Sequence, residues 1–356
     1  MPIVNKYLYK EITVHVLLVI LALMAMFSFF DLIQELDSLG KGNYGLANIL
    51  LFVLLSVPGH IYDIVPVAVL VGCMISLSQL ARHSELLVLR VSGLSVFRLA
   101  ALLLQIGLLF TLLTFLVGEL LTPISEKMAQ RLRLQASHSL VAQEFRSGLW
   151  VKDGRNFINV EEVLADTSLL NVHIYEFDHE ARLIKIRNAK SASYQQDHWR
   201  LKDVSETQFK LDQNSVTRLA EANWYSMVRP ELLNVLLVMP EKMSAWNLSA
   251  YINHLSSNQQ KTNRYQVALW AKMIYPLACL VMVILALPFA LLPQRSAGIS
   301  AQALVGMLLG VSYQILNRVF AHLGLLNDWP PLFSAMLPTL LFLLAGLIML
   351  QLVERR

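Results

Sequence analysis

The sequence predicts a polytopic membrane protein with six transmembrane α-helices, three before and three after an inserted all-β, jellyroll-like domain. Of its 356 residues 56% are hydrophobic and 15% charged, with a mean hydropathy of +0.52, a balance that excludes disordered and fibrous chains. The apolar residues gather into stretches as long as the roughly 20 residues, at ~1.5 Å each, that cross a bilayer. Between the third and fourth stretches the pattern changes to short alternating runs split by turn residues.

The first span, about 12–33, follows Lys6 and Lys10. Its apolar run is too long for a secretion-signal core and no A-x-A site follows, so it reads as a retained helix. A polar turn with Gly40, Lys41, Gly42 and Asn43 leads to a second span at 46–80. At about 50 Å this span is over-long, and Pro58, Gly59 and Pro66 offer kink points. The third span, 97–122, ends at Pro123, where polarity rises. Spans four to six cover about 265–293, 301–326 and 331–353. The domains are then 1–123, 124–262 and 263–356.

With six alternating helices, Lys6, Lys10, Arg82, Arg90, Arg98, Arg295, Arg355 and Arg356 fall on one side. The positive-inside rule makes that side, with both termini, cytoplasmic, and puts 124–262 on the opposite face, in a bacterium the periplasm. Within 124–262, the strand-like pieces are 148–151, 157–160, 172–177, 183–187, 198–201 and 207–211, and Asp153-Gly154 is a hairpin signal. About eight short strands without intervening helix fit an antiparallel sandwich or a jelly roll. The polar stretch 244–263 includes a short amphipathic helix returning to the membrane.

Cys73 and Cys279 lie in apolar stretches without metal-ligand spacing, and read as packing residues. No phosphate-binding loop, nucleophile elbow, H-E-x-x-H pair or dinucleotide fingerprint occurs. No cofactor is expected in this chain, and any ATP hydrolysis must occur on another. The formal charge of +4 comes from basic residues scattered at helix ends, which argues against a nucleic-acid partner.

Between spans two and three, Ser84 begins the apolar run Leu86, Leu87, Leu89 and Val91, and Gly93 follows where a C-cap belongs. The pattern predicts a short amphipathic helix, about 82–95, at the cytoplasmic surface. It suits either a coupling helix for an ATPase or an ordinary interfacial helix. The stretch Ser84-Glu-Leu-Leu-Val-Leu-Arg-Val-Ser-Gly93, the hairpin Gly148-Leu-Trp-Val-Lys-Asp-Gly-Arg-Asn-Phe157 and the three-plus-three layout resemble the lipopolysaccharide-export permease family LptF/LptG, over the whole chain. The resemblance implies a heterodimer with a paralogous permease, LptF, driven by a dimeric cytoplasmic ATPase, LptB, which holds the ATP and magnesium. It further implies a single-helix jellyroll partner, LptC, and lipopolysaccharide as cargo, passed to a periplasmic jellyroll bridge. It makes Glu85 the ATPase-docking residue, with Arg82, Ser84, Leu86, Leu89 and Arg90 around it. The alternatives are a lipoprotein-release permease and an intramembrane lipid-modifying enzyme.

Such a cargo needs an apolar cavity for acyl chains and cations for phosphates. Lys127, Arg131 and Arg133, just past Pro123, are the candidate cations, with Lys41 and Arg318; Arg133 stands where the family has a lipid-contacting arginine. Phe27, Phe30, Ile315 and Val319 are candidates for the apolar wall. The first span departs from the family in carrying Asp31, Glu35 and Asp37 near its end. Either phosphate is met elsewhere, or a divalent ion bridges, or the carboxylates pair with cations of a partner. Asp63, Glu119, Lys272, Asn317 and Arg318 are polar residues within the bundle. Pairing of Glu119 with Lys272 or Arg318 is the expectation, because isolated membrane charges are costly. His15, His60 and His322 read as packing or interfacial residues, and Trp329 before Pro330 and Pro331 as an interfacial anchor.

Overall fold

The structure is a computed structural model describing residues 2–40, 43–93, 95–137, 148–164, 168–180, 182–195, 197–209, 214–226, 230, 240–257, 259–291 and 298–354. Among the described residues six helical stretches are long and apolar enough to cross a membrane, and the β domain lies between the third and the fourth.

Helix α1 (Pro2–Leu36) starts well before the predicted residue 12. Leu8, Ile12 and Val16 recur every four residues and are fully buried, so tertiary packing carries the helix through its polar first turns. Helix α2 (Leu46–Arg82) is continuous through both internal prolines. Neighbouring side chains donate to its backbone around them, as helices in lipid require: Thr122 Oγ1 to the Pro58 carbonyl at 3.2 Å, and Tyr275 Oη and Gln314 Nε2 to the Asp63 carbonyl, both at 2.6 Å. α2 is the central, most buried span, and α1 crosses it at Gly72, where a Cβ would lie 2.6 Å from the Val16 Cα.

Helix α3 (Glu85–Val91) is short. The third span then runs as α4 (Val96–Leu116), a π turn (Val117–Leu121) and α5 (Thr122–Ser137). The predicted stop at Pro123 does not occur. The π turn, in which Thr122 N–H donates to the Val117 carbonyl, takes up an extra residue just where the proline removes a hydrogen bond. The resulting column from Val96 to Ser137 is about 63 Å long.

Helix α6 (Ala245–Ser257), the predicted amphipathic segment, leads to the fourth span. That span is broken at Pro276 into α7 (Asn263–Ile274), a 3-10 turn (Tyr275–Leu277) and α8 (Ala278–Leu291). Helices α9 (Ile299–Leu326) and α10 (Pro331–Glu354) complete the bundle. α2 packs against α1, α5, α8 and α9, and α10 against α7, α8 and α9. One apolar core joins them, with Cys73 and Cys279 buried inside it.

The β domain is one antiparallel sheet in meander order: β1 (Leu149–Asp153), β2 (Asn156–Val163), β3 (Leu169–Phe177), β4 (Leu183–Gln195), β5 (His198–Phe209) and β6 (Asn214–Trp224). Among the described residues there are six strands, several longer than the short ones expected, because polar residues such as Ser191, Ser205 and Glu206 sit within strands rather than at turns. The predicted piece 207–211 is the end of β5 as far as Phe209, and its last two residues lie outside the described residues. Gly154, at φ +61, opens the two-residue hairpin loop between Asp153 and Asn156. Leu149, Val160, Val172, Ala189, Val204 and Leu219 face one another across all six strands and form a single apolar row.

Candidate functional site

Most of the candidate side chains lie near the two ends of the α4–α5 column. At the first, α3 lies between the C-terminus of α2 and the N-terminus of α4. Ser84, at φ +61, and Gly93, at φ +96, turn the chain sharply on either side of it; Gly93 fills the left-handed position past a helix end as its sequence position indicated. Glu85 faces α1 and accepts a hydrogen bond from Tyr7 Oη at 2.9 Å. Leu86 is buried in the bundle core and Leu89 packs against it, so these two candidates anchor the helix instead of offering a surface. Leu87, Val88 and Val91 point outward, joined by Phe97 at the start of α4. The apolar run of the sequence thus divides between an inner side, Leu86 and Leu89 at a spacing of three, and an outer side with Leu87 and Val91. Arg82 is exposed at the end of α2. Arg90 lies in α3, with its side chain outside the described residues.

At the other end, α1, α2 and α5 meet around Arg133. Its Nε lies 3.5 Å from Glu35 Oε1, and its side chain is 44% exposed where that of Glu35 is 6%. The guanidinium carbon sits 5.8 Å from the centre of the Phe52 ring, a cation–π distance. Tyr44 Oη donates to Glu35 Oε2 at 3.2 Å; burial, and then the Glu35 carboxylate, push the phenol up to about 12. One turn earlier on α1, Asp31 Oδ2 lies 2.5 Å from His60 Nε2, and Phe27 stacks on the same imidazole at 5.4 Å. Two of the three carboxylates that depart from the family pattern, Asp31 and Glu35, are therefore paired within this chain. Sequence reasoning missed Tyr44, Phe52 and the role of His60, because their partners lie on different helices.

Arg133 does not gather with Lys127 and Arg131. At about 100° per residue, 127 and 131 share one side of α5 and 133 falls on another. Lys41 lies outside the described residues. On α9, Ile315, Arg318 and Val319 are exposed on one side, as is Phe30 on α1. α1 and α9 each pack on α2 rather than along one another, so one chain does not join the four apolar candidates into a single wall.

A third arrangement ties residues 240–245 to the bundle. Lys242 Nζ lies 2.7 Å from Asp63 Oδ2, and Lys272 Nζ donates to the Met243 carbonyl. Glu119, carried outward by the π turn, accepts from the Ala245 N–H and lies 3.9 Å from Lys272 Nζ. The expected pairing of Glu119 with Lys272 is present. The close approach rests on Gly118, where a Cβ would come 2.5 Å from the Tyr62 ring.

Over residues 6–352 the chain matches the family described as lipopolysaccharide export system permease LptF/LptG. It is 30% identical, over 98% of both chains, to the lipopolysaccharide export system permease protein LptG of Escherichia coli strain K12. It is 28% identical, over 95% of both chains, to the protein of the same description from Haemophilus influenzae. Together with six spans and an inserted antiparallel sheet, a match of this extent makes the chain a multi-pass transporter component rather than an enzyme, and it belongs to the LptF/LptG family of lipopolysaccharide export permeases.

Proposed function

We propose that this chain is one of two permease subunits of an inner-membrane exporter that extracts lipopolysaccharide from the periplasmic leaflet and passes it to a bridge of β-jellyroll domains. Its second permease is the paralogue LptF, its motor a cytoplasmic LptB dimer that binds the ATP and magnesium, and LptC its single-helix jellyroll partner. Both termini and α3 are cytoplasmic, and the β domain is periplasmic.

The observation that carries this reading is α3 itself. A seven-residue helix is too short to be stable alone; here it is held by Leu86 and by the Tyr7–Glu85 hydrogen bond, yet leaves Leu87, Val88 and Val91 bare. A rigid element with an uncovered apolar side at the end of a membrane bundle suits docking of a soluble motor. At the far end of the column, Arg133 offers a half-exposed guanidinium to a lipid phosphate. The outward apolar sides of α1 and α9 leave the second wall of the acyl cavity to the other permease.

Glu85→Ala is expected to cut co-purification of the ATPase and lipid export while membrane insertion stays intact; normal assembly and export would remove the coupling role. Photocrosslinking from position 133 in living cells is expected to trap lipopolysaccharide, and crosslinks to protein alone would overturn the lipid role of Arg133.

A further inference from the structure

Helix α1 begins with Val4 and Leu8 packed into the bundle core, so the residues beside them are held on a fixed backbone. The two tyrosines that flank Leu8 tie this turn to two other elements. Tyr9 Oη donates to Gln105 Oε1 on α4. Tyr7 Oη donates to Oε2 of Glu85, the first residue of α3, at 2.9 Å and across 78 positions of sequence. Glu85 is the one carboxylate that α3 carries.

What Tyr7 does not bring to that carboxylate is a charge. A phenol is neutral at physiological pH, and among the described residues no lysine or arginine pairs with Glu85, although Lys6 adjoins Tyr7 and Arg82 ends α2 just before α3. Nor does Glu85 Oε1 have a hydrogen-bond partner there. A cation at position 7 would hold the carboxylate equally well but would cancel its field. A tyrosine fixes one oxygen and leaves the negative charge and the second oxygen uncommitted. A glutamate loses side-chain freedom whenever it is held, so a carboxylate that is already positioned meets a cation at a smaller cost in entropy.

We propose that Tyr7 is a positioning residue for motor docking: it presents the Glu85 carboxylate, oriented but not neutralised, to a cationic side chain of the ATPase. This rests on the docking role given to Glu85 above. It brings the first turns of α1 into the docking element.

The test is titration of the permease pair, held in lipid nanodiscs without its motor, with the purified ATPase dimer, read by biolayer interferometry; thermal melts check that each variant folds. Tyr7→Phe is expected to weaken binding about fivefold through loss of the orienting bond. Tyr7→Lys keeps a partner for the carboxylate but cancels its charge, and is expected to weaken binding at least about tenfold, as far as Glu85→Ala does. A purely structural bond predicts the reverse, since an ion pair in that place would secure α3 as well as the phenol does and leave binding unchanged. In the Glu85→Ala background, Tyr7→Phe is expected to cause no further loss, because the phenol acts only through the carboxylate. Wild-type binding by both Tyr7 variants beside a weakened Glu85→Ala would overturn the role of Tyr7 alone. Wild-type binding by Glu85→Ala would remove the docking role and this proposal with it.

Discussion

Glu119 accepts the backbone N–H of Ala245 through both carboxylate oxygens, at 3.0 and 2.9 Å, across 126 residues of sequence. The π turn of the third span thereby caps the first turn of α6, which follows the β domain. Loss of a helix N-cap costs about 0.5–2 kcal/mol, and here it also strips buried Lys272 of its ion-pair partner. Glu119→Ala is expected to lower the melting temperature and to speed hydrogen exchange in 245–257, whereas Glu119→Gln, which keeps one acceptor oxygen, has the smaller effect. Unchanged exchange in α6 of the alanine variant would show that the cap does not hold it.

The two sides of α3 separate stability from docking. Leu86→Ala removes a core side chain and is expected to cost about 2–5 kcal/mol of stability. Val91→Asp changes a side chain that is 83% exposed and is expected to shift stability by less than about 0.5 kcal/mol while abolishing ATPase co-purification. Pull-down and thermal melts on both variants check this; a reversed pattern would assign the docking surface to the Leu86 side.

Glu35 is a buried carboxylate in contact with Arg133 and Tyr44. Tyr44→Phe removes one hydrogen bond to a charged group, worth about 1.5–3 kcal/mol, and is expected to destabilise the α1–α2 turn without altering crosslinking from position 133 to lipid. Arg133→Gln is expected to lower both stability and crosslinking. Loss of crosslinking in Tyr44→Phe would mean that the phenol, too, orients the guanidinium.

Acid is expected to loosen α6. Burial holds the His254 imidazole below its ordinary value of 6.5, with the Asp153 carboxylate opposing the shift. The unfolded segment therefore binds the proton more readily, so the contribution of neutral His254 is complete above pH 6.5 and falls as pH drops below that value. Protection of the amides in 245–257, relative to their intrinsic exchange rates at each pH, is expected to be lower at pH 5.5 than at pH 7.5 in wild type, and the difference to shrink in His254→Gln. Equal pH responses in the two proteins would exclude this histidine as the source.

The span count, the central β domain and the short helix after residue 84 could all be read from the sequence, because hydrophobic length and turn residues are local signals. The extent of α1 could not, since Leu8 and Ile12 keep it helical by touching residues of other spans. Pro123 misled for a related reason: a proline stops a helix unless the preceding turn reorganises, and the π turn shows only in three dimensions. Among candidate residues, Glu85 and Arg133 each have a partner within the chain that the sequence did not indicate, because Tyr7 and Glu35 lie 78 and 98 positions away. The run Leu86, Leu87, Leu89 and Val91 falls in a helix as expected, but the sequence did not divide it into a buried and an exposed side, because seven residues supply too few turns for periodicity to tell inside from outside.

The unbroken column from Val96 to Ser137 has a mechanical consequence. Hydrogen-bonded helix does not stretch, so a push delivered beside its lower end can only rotate it. Pivoting by about 5° would swing Ser137 sideways by about 5 Å, comparable to one helical turn. The length of the column therefore sets how far a tilt at Val96 displaces Ser137.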